Sequence, residues 1–333
     1  MVDVSIRCPT EGDLEAIAKI WNDSRLELPS QSKVNADEVR AKTFLDGDYD
    51  PEGSWLAIVD GEPVGYADGF VDQARLAYGL TDSYFDLEVM RGHRGDGIEE
   101  TLLQKALDYL ADRGVSTTQT PYYQVDMWRK RLLENAGFRE VRRYYEMVRS
   151  ETHEPEEAVF PEGVKIERSL IKDDLENLSS RLVDIRNESF MDHYNYAPIP
   201  ADRFKKFLEA TEATFSVTFA VDAGKTVGFV MSEDRAPEAT GTGRREGWVA
   251  VLGVVGSHRR RGLGVNLLLD SVNWLRSRGA ERILVMVDAE NEKALDIYKS
   301  AGFEVDSVEI LMVKDMPCSD TPTGAHGSPA PPS

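Results

Sequence analysis

Residues 259–264 form the pattern in this chain that is best suited to binding an anion. They are Arg259, Arg260, Arg261, Gly262, Leu263 and Gly264. An apolar run at 249–255 precedes them and a helical apolar pattern follows, so the sequence predicts a strand, a tight turn and a helix. The first backbone N–H groups of a helix attract phosphate groups, and a glycine lets a phosphate group approach the backbone closely. The same pattern also fits an ordinary solvated turn.

A tyrosine that could donate a proton lies on the next predicted helix. Asn291 follows the apolar run 283–287, and Ala294, Tyr298 and Gly302 then recur at every fourth residue. With about 3.6 residues per helical turn, these three residues lie on one face. A phenol can protonate a departing thiolate, but the position also suits a core tyrosine, and Asn291 suits a helix N-cap.

In this order the two patterns resemble the GCN5-related N-acetyltransferase (GNAT) superfamily, whose Arg/Gln-x-x-Gly-x-Gly/Ala turn binds the pyrophosphate of acetyl-coenzyme A (acetyl-CoA). The resemblance implies an α/β fold with a mixed, mostly antiparallel central sheet flanked by helices. It implies that residues 259–264 and Asn291 contact acetyl-CoA and that Tyr298 is the general acid. The strand residues implied to pair with the pantetheine arm are Leu252, Gly253 and Val254.

The chain carries this arrangement twice. Arg94 aligns with Arg259 at an offset of 165 residues, and Gly137 aligns with Gly302 at the same offset. One offset kept over such a long stretch predicts a duplicated domain.

Composition sets the boundaries of the two copies. Residues 151–163 are polar, charged and interrupted by proline, which predicts a linker between a first domain at 1–150 and a second at 164–315. Residues 316–333 are rich in Pro, Gly, Ser and Thr and are predicted to be a disordered tail. We therefore predict two tandem GNAT folds, each with a central sheet.

The first copy departs from the pattern at its chemical positions. The replacements are Glu99 for Gly264, Asp126 for Asn291 and Leu133 for Tyr298. A carboxylate at position 99 would repel the phosphates that the turn should receive. We predict a degenerate first copy with a structural or regulatory role and an active second copy. Two inactive scaffolds are the alternative.

The sequence indicates the general base and the amine-binding site less clearly than it indicates the acetyl-CoA site. Glu246 precedes the central strand and is a candidate general base, acting directly or through water. The mycothiol synthase branch of the superfamily has a similar tandem layout and carries its glutamate where this chain has Trp248, which leaves the register open. The candidate substrate residues are Phe190, His193 and Tyr194. His193 suits a proton relay or a loop position, and its aromatic neighbours suit the pocket or the core.

Charge and composition restrict the partners. The 333 residues carry a formal net charge of −20, which disfavours nucleic acids and anionic membranes and favours cationic acceptors. Two cysteines, Cys8 and Cys318, indicate no disulfide framework, and the isolated histidines indicate no metal site. The sequence shows no signal peptide and no apolar run long enough to span a membrane, which predicts a cytoplasmic protein.

We therefore predict an N-acetyltransferase that transfers the acetyl group of acetyl-CoA to a primary amine of a small molecule or peptide, without a metal. A non-catalytic CoA-binding sensor or interaction protein is the alternative, because the sequence identifies no firm general base. The identity of the amine and the choice between monomer and homodimer stay open.

Overall fold

Twelve strands among the described residues build one continuous sheet. The computed structural model describes residues 4–29, 33–150, 156–194, 196–210 and 213–316. The strands are β1 (Val4–Arg7), β2 (Ser54–Val59), β3 (Glu62–Phe70), β4 (Asp82–Val89), β5 (Thr117–Tyr123), β6 (Arg139–Ser150), β7 (Lys165–Leu170), β8 (Thr214–Asp222), β9 (Lys225–Arg235), β10 (Glu246–Val254), β11 (Arg282–Asp288) and β12 (Glu304–Asp315). Their order is β1-β2-β3-β4-β5-β12-β6-β11-β10-β9-β8-β7. The pairs β4–β5 and β10–β11 are parallel and the other pairs are antiparallel, which confirms the predicted mixed, mostly antiparallel sheet.

Helices cover both faces of the sheet. Those in the described part of the chain are α1 (Leu14–Ser24), α2 (Ala36–Lys42), α3 (Gln73–Ala77), α4 (Ile98–Asp112), α5 (Met127–Asn135), α6 (Leu175–Phe190), α7 (Ala201–Ala210), α8 (Leu263–Ser277) and α9 (Glu292–Ser300). Leu56 packs with α1 and α2, whereas its neighbour Ala57 packs with α4, because successive strand residues point to opposite faces. In the second copy α6 and α8 pack on β9 and β10. Within the described ranges, no helix is both long and apolar enough to cross a membrane.

One extra residue distinguishes β10 from its counterpart β4. The register of β4 with β3 is unbroken, whereas the register of β10 with β9 shifts between Val249 and Val251. Ala250 is therefore the extra residue of a β-bulge. At the start of β10, upstream of the bulge, the offset from β4 is therefore 164, so that Trp248 corresponds to Tyr84.

The two copies exchange their last strands. β6 of the first copy pairs with β11 of the second, and β12 of the second copy pairs with β5 of the first. β6 and β12 also pair with each other and join the halves at the middle of the sheet. The sequence predicted a central sheet for each copy, and the structure unites the two, because backbone pairing does not depend on which copy supplies a strand. Along the chain the first copy ends with β6 and the second begins with β7. The first residue of the predicted tail at 316–333, Met316, is buried in the core of the first copy, and its N–H donates to the backbone oxygen of Ser116 at 2.9 Å. Residues 317–333 lie outside the described residues.

Candidate active site

A gap opens between β10 and β11 at the centre of the second copy. Their parallel pairing covers three residue pairs and ends at Trp248↔Leu284, while β10 stays paired with β9 as far as Val254. The bulge at Ala250 lies just beyond the last pair. Backbone groups on this edge of β10 therefore face the gap and can pair with an extended ligand. The predicted pantetheine-binding residues on this part of β10 are Leu252, Gly253 and Val254.

The predicted anion-binding turn connects this edge to the N-terminus of α8. Gly262 is the N-cap of α8 and has a φ of 79°, and Arg260 has a φ of 63°, so both adopt the left-handed conformation. Leu263 is buried and anchors the first turn of the helix. A Cβ atom on Gly264 would lie 3.6 Å from the Cδ1 atom of Ile297 on α9. A turn of this shape at a helix N-terminus presents backbone N–H groups to an anion.

The arginine run is only partly available to a ligand. Arg259 donates hydrogen bonds to the backbone oxygen of Ser189, at 2.7 Å, and to the carboxylate of Asp192, at 2.5 and 3.0 Å. This hydrogen bonding lowers the pKa of Asp192. Arg259, for which a ligand contact was predicted, thus braces the turn against the end of α6. All three arginines of the turn are exposed. Arg261 lies 3.7 Å from the carboxylate of Asp222, whereas Arg260 forms no ion pair with a described residue.

The predicted general acid lies on α9, next to the first turn of α8. Tyr298 is 7% exposed, and its ring packs on Phe303 with the ring centroids 5.9 Å apart. Its hydroxyl makes no hydrogen bond to another described residue, and burial raises the pKa of the phenol to about 12. Asn291 is the N-cap of α9, because its side chain accepts a hydrogen bond from the N–H of Ala294 at 3.2 Å. It therefore fixes the start of the helix that carries Tyr298.

A cavity of about 1170 Å³ lies between the two copies. The three predicted substrate residues line it, namely Phe190, His193 and Tyr194. Burial lowers the pKa of His193, which favours the neutral imidazole. The ring centroids of Phe190 and His193 lie 4.3 Å apart. A Cβ atom added to Gly253 would lie 3.1 Å from the Cε2 atom of Phe190. The cavity therefore adjoins the strand that faces the gap.

The first copy supplies the opposite wall of this cavity, which the sequence did not predict. Residues of α2 and of the segments around α3 line it. Arg203 on α7 holds this wall to the second copy through Asp72 at 2.8 Å and through Asp46 and Asp48 at 3.5 Å. These contacts join residues far apart in the chain, so no local pattern could have indicated them.

The predicted base Glu246 is not among the residues that line the cavity. It is 1% exposed, and its Oε1 atom accepts hydrogen bonds from Arg282 and Thr242, each at 3.0 Å. Its counterpart upstream of the bulge, Asp82, is held in a similar way by Arg75 at 2.7 Å. In both copies the acidic residue at the start of this strand takes part in an ion pair.

Glu233 is a carboxylate on the cavity wall that sequence reasoning missed. It lies on β9 directly across from Trp248, the position at which the branch resemblance implies a glutamate. Arg235 donates to its two oxygens at 2.6 and 3.0 Å. Only the register of β9 with β10 would have shown this neighbour. Among the described residues, no group of three His, Cys, Asp or Glu side chains could hold a metal ion.

In the first copy a side chain of the protein itself occupies the equivalent anion site. Glu99 is 3% exposed, and its Oε1 atom accepts hydrogen bonds from the backbone N–H of Gly95, at 2.7 Å, and from the indole N–H of Trp128, at 3.2 Å. The carboxylate thus occupies the turn that would otherwise receive a phosphate. The sequence predicted repulsion of phosphates at this position. The structure adds that Glu99 accepts a hydrogen bond from a loop amide, as a phosphate oxygen would.

The gap of the first copy is also filled. Arg129 on α5 is buried, and its guanidinium donates a hydrogen bond to the backbone oxygen of Leu87 on β4. It also lies 3.4 Å from Asp86 and 3.6 Å from Glu88. At the common offset, the second copy has Ala294 in place of Arg129. A long cationic side chain therefore occupies the strand edge that is clear in the second copy.

Comparison with known proteins gives the same division into two copies. The sequence matches the acetyltransferase (GNAT) family at residues 14–138 and again at residues 179–303. It is 28% identical over 326 residues to mycothiol acetyltransferase from Thermobispora bispora, covering 93% of this chain and 98% of that protein. It is also 28% identical over 207 residues to the protein of the same name from Propionibacterium freudenreichii, covering 60% of this chain and 62% of that protein.

The fold is shared with a solved tandem protein. The tandem GNAT protein from the clavulanic acid biosynthesis pathway, solved without acetyl-CoA, superposes with a TM-score of 0.76 at 14% identity, over 96% of this chain and 100% of that one. At that identity the likeness concerns the fold alone. The two family matches cover most of the sequence and coincide with the two copies seen in the sheet. The chain therefore belongs to the acetyltransferase (GNAT) family of acyltransferase enzymes and carries the family domain twice.

Proposed function

We propose that this chain transfers the acetyl group of acetyl-CoA to a primary amine, and that the second copy alone performs the reaction. The contrast between the two clefts carries the proposal. Gly264 and Ala294 leave the turn and the strand edge of the second copy clear, whereas Glu99 and Arg129 fill the same places in the first. Membership of the family supports acetyl-CoA as the donor substrate.

The turn and the strand edge suit the two parts of this donor. In the proposal, the backbone of residues 259–264 and the N-terminus of α8 bind the pyrophosphate, with Arg260 and Arg261 adding positive charge at the surface. The backbone of β10 from Leu252 to Val254 pairs with the pantetheine amides. Asn291 contributes by capping α9.

The reaction forms a C–N bond at the acetyl carbonyl carbon and breaks the C–S bond of the thioester. A neutral amine attacks, and backbone N–H groups beside the bulge stabilise the negative charge that develops on the carbonyl oxygen. The sulfur leaves with the C–S electron pair and takes a proton. The amine, positively charged after attack, loses one proton to a base.

Tyr298 is the proposed donor to the sulfur. Because burial raises its pKa to about 12, the phenol is protonated at neutral pH and ready to donate. The proton moves as negative charge builds up on the sulfur, and the phenolate then regains a proton from solvent. The absence of any hydrogen bond from this hydroxyl to the described residues leaves it free for this contact.

Glu246 and Glu233 are the two candidates for the base. Glu246 was predicted from the sequence, and its ion pair with Arg282 outside the cavity argues for a structural role. Glu233 lies on the cavity wall, where an amine would be bound, and we propose it as the proton acceptor. The cavity, bounded by both copies, fits a small-molecule amine.

Release of free CoA thiol in the presence of a panel of primary amines tests the proposal. We expect turnover with the intact chain, and we expect Tyr298→Phe to lower kcat by about a hundredfold while acetyl-CoA binding stays within about twofold. Tyr122→Phe in the first copy is the matched control and should leave both unchanged. Binding of acetyl-CoA without turnover of any amine would identify a sensor instead, and an equal loss of binding and turnover in Tyr298→Phe would contradict the acid role.

A further inference from the structure

The cavity between the two copies contains a cation that has no acidic partner. Arg186 on α6 lines this cavity. Its Nη1 atom donates to the side-chain oxygen of Asn187 and to the backbone oxygen of Ala197, each at 3.1 Å. Its guanidinium lies 5.4 Å from the ring centroid of Phe190 and 6.0 Å from that of Tyr196. No carboxylate of the described residues forms an ion pair with it.

The other arginines on the cavity wall are neutralised by neighbouring carboxylates. Arg203 contacts three aspartates of the first copy, and Arg235 is held by Glu233. Arg75 pairs with Asp82 at 2.7 Å. Arg186 differs from all three, although it faces the same cavity.

Keeping an unpaired positive charge at the position of Arg186 costs free energy. Burial lowers the pKa of its guanidinium, since loss of water disfavours the charged form. A bound anion would restore the lost solvation by charge-assisted hydrogen bonds. The Nε and Nη2 atoms make no hydrogen bond to the described residues, so the guanidinium keeps a pair of donors suited to a carboxylate or phosphate.

Arg186 lies within reach of the proposed reaction. Phe190, one turn further along α6, contacts both Arg186 and the Gly253 position on β10. Lys42 of the first copy also lines the cavity and has no ion pair with a described carboxylate. One molecule in the cavity could therefore place an anion at Arg186 while its amine faces β10.

We infer that the acceptor carries an anionic group, a carboxylate or a phosphate, in addition to its amine, and that Arg186 binds this group. The inference rests on the proposed acetyl transfer. It reverses the expectation, based on the net charge of −20, that cationic acceptors are favoured. The overall charge acts at long range, whereas the chemistry of the cavity wall selects the bound molecule.

Two pairs of amines, each differing in one anionic group, test the inference. The pairs are ethanolamine with phosphoethanolamine and β-alaninamide with β-alanine, and kcat/KM is measured from the release of CoA thiol. We expect the anionic member of at least one pair to have a kcat/KM about tenfold or more above its neutral partner. The pair that shows the larger ratio distinguishes phosphate from carboxylate. Equal values for both members of both pairs would overturn the inference.

Variants of α6 locate the effect. Arg186→Met should lower kcat/KM for the preferred anionic amine by about thirtyfold and change it for the neutral amine by less than about twofold. Arg186→Lys should retain part of the preference. Arg181→Met on the same helix, whose side chain pairs with Glu167 at 2.7 Å, is the control and should leave the preference intact. Unchanged acetyl-CoA affinity verifies that each variant is folded, and an equal loss for anionic and neutral amines in Arg186→Met would overturn the inference.

A binding measurement separates this inference from the proposed function. Calorimetry with N-acetyl-β-alanine and with its amide needs no turnover. If no amine is acetylated, the proposed function fails, while tighter binding of the acid than of the amide, lost in Arg186→Met, still supports the anion site. The same comparison is made with N-acetylphosphoethanolamine and N-acetylethanolamine, and equal binding within both pairs overturns the inference.

Discussion

The first arginine of each turn is a structural residue. Arg94 donates to the backbone oxygens of Val89 and Ser24 at 3.2 and 2.7 Å. Arg259 makes the same two kinds of contact in the second copy. Because the first copy has a filled cleft, a contact that occurs in both copies does not depend on a ligand. The motif located the turn correctly, and its first arginine holds the turn to the end of α1 in the first copy and of α6 in the second.

Substitution of the two glutamates distinguishes the proposed base from a structural carboxylate. Glu233→Gln should lower kcat by about a hundredfold or more, because the amine then lacks a proton acceptor. Glu246→Gln should keep kcat within about threefold and lower the melting temperature, since Arg282 loses a buried charged partner. Steady-state kinetics and thermal melts measure both effects. A large kcat loss in Glu246→Gln with unchanged Glu233→Gln would restore the sequence prediction.

A half-buried acid at the junction of the copies makes stability depend on pH. Burial and the neighbouring charge of Glu146 raise the pKa of Glu309 to about 7. The folded chain then binds this proton more tightly than the unfolded chain, whose glutamate pKa is about 4.3, so this group costs stability as pH rises through about 7. Glu309→Gln should be more stable than the parent chain at pH 8, and the gain should shrink toward pH 5. Chemical denaturation at both pH values measures the gain, and a gain independent of pH would contradict the assignment.

At the scale of elements, two equivalent helix N-termini have different neighbours. The N-terminus of α4 faces the carboxylate of Glu99, whereas the N-terminus of α8 begins with Gly262 and Gly264. The helix dipole attracts an anion in both places. In the first copy the chain itself provides that anion, and in the second copy the proposed ligand provides it.

Copying the first cleft into the second should abolish coenzyme binding. In Gly264→Glu, the new carboxylate would accept the loop amide of Arg260, as Glu99 accepts that of Gly95, and would repel a phosphate. Calorimetry should show one acetyl-CoA bound per parent chain. The affinity of Gly264→Glu for acetyl-CoA should be weaker by about tenfold or more. Gly264→Gln, of equal size without charge, should lose less. Two sites per parent chain, or unchanged affinity in Gly264→Glu, would contradict this explanation.

At the scale of the whole molecule, the exchanged strands hold the two copies together. β6 and β12 lie side by side at the centre of the sheet, and each pairs with a strand of the other copy. If a protease site is inserted between residues 150 and 156, the cleaved halves should migrate as one species in gel filtration and separate only in denaturant. Two independent species after cleavage under native conditions would contradict the exchange.

Local features were predictable from the sequence, and contacts between distant segments were not. The apolar strand, the glycine turn and the helix at 263 follow from short-range pattern, as does the cap at Asn291. Glu233, Arg129 and the first-copy wall of the cavity depend on pairing and packing across the chain. The bulge at Ala250 likewise became visible only in the register of β10 with β9.

The exchange of strands also affects how the gene can change. A chain cut down to its second copy would lack β6, so that β11 would lose a neighbour along seven residues, and it would lack the α2 side of the cavity between the copies. If the second copy alone is reactive, as proposed, natural selection on it also preserves the first copy, although the cleft of the first copy is filled. Deletion of either copy would remove a strand with which the other copy pairs. The duplication is therefore hard to reverse in evolution.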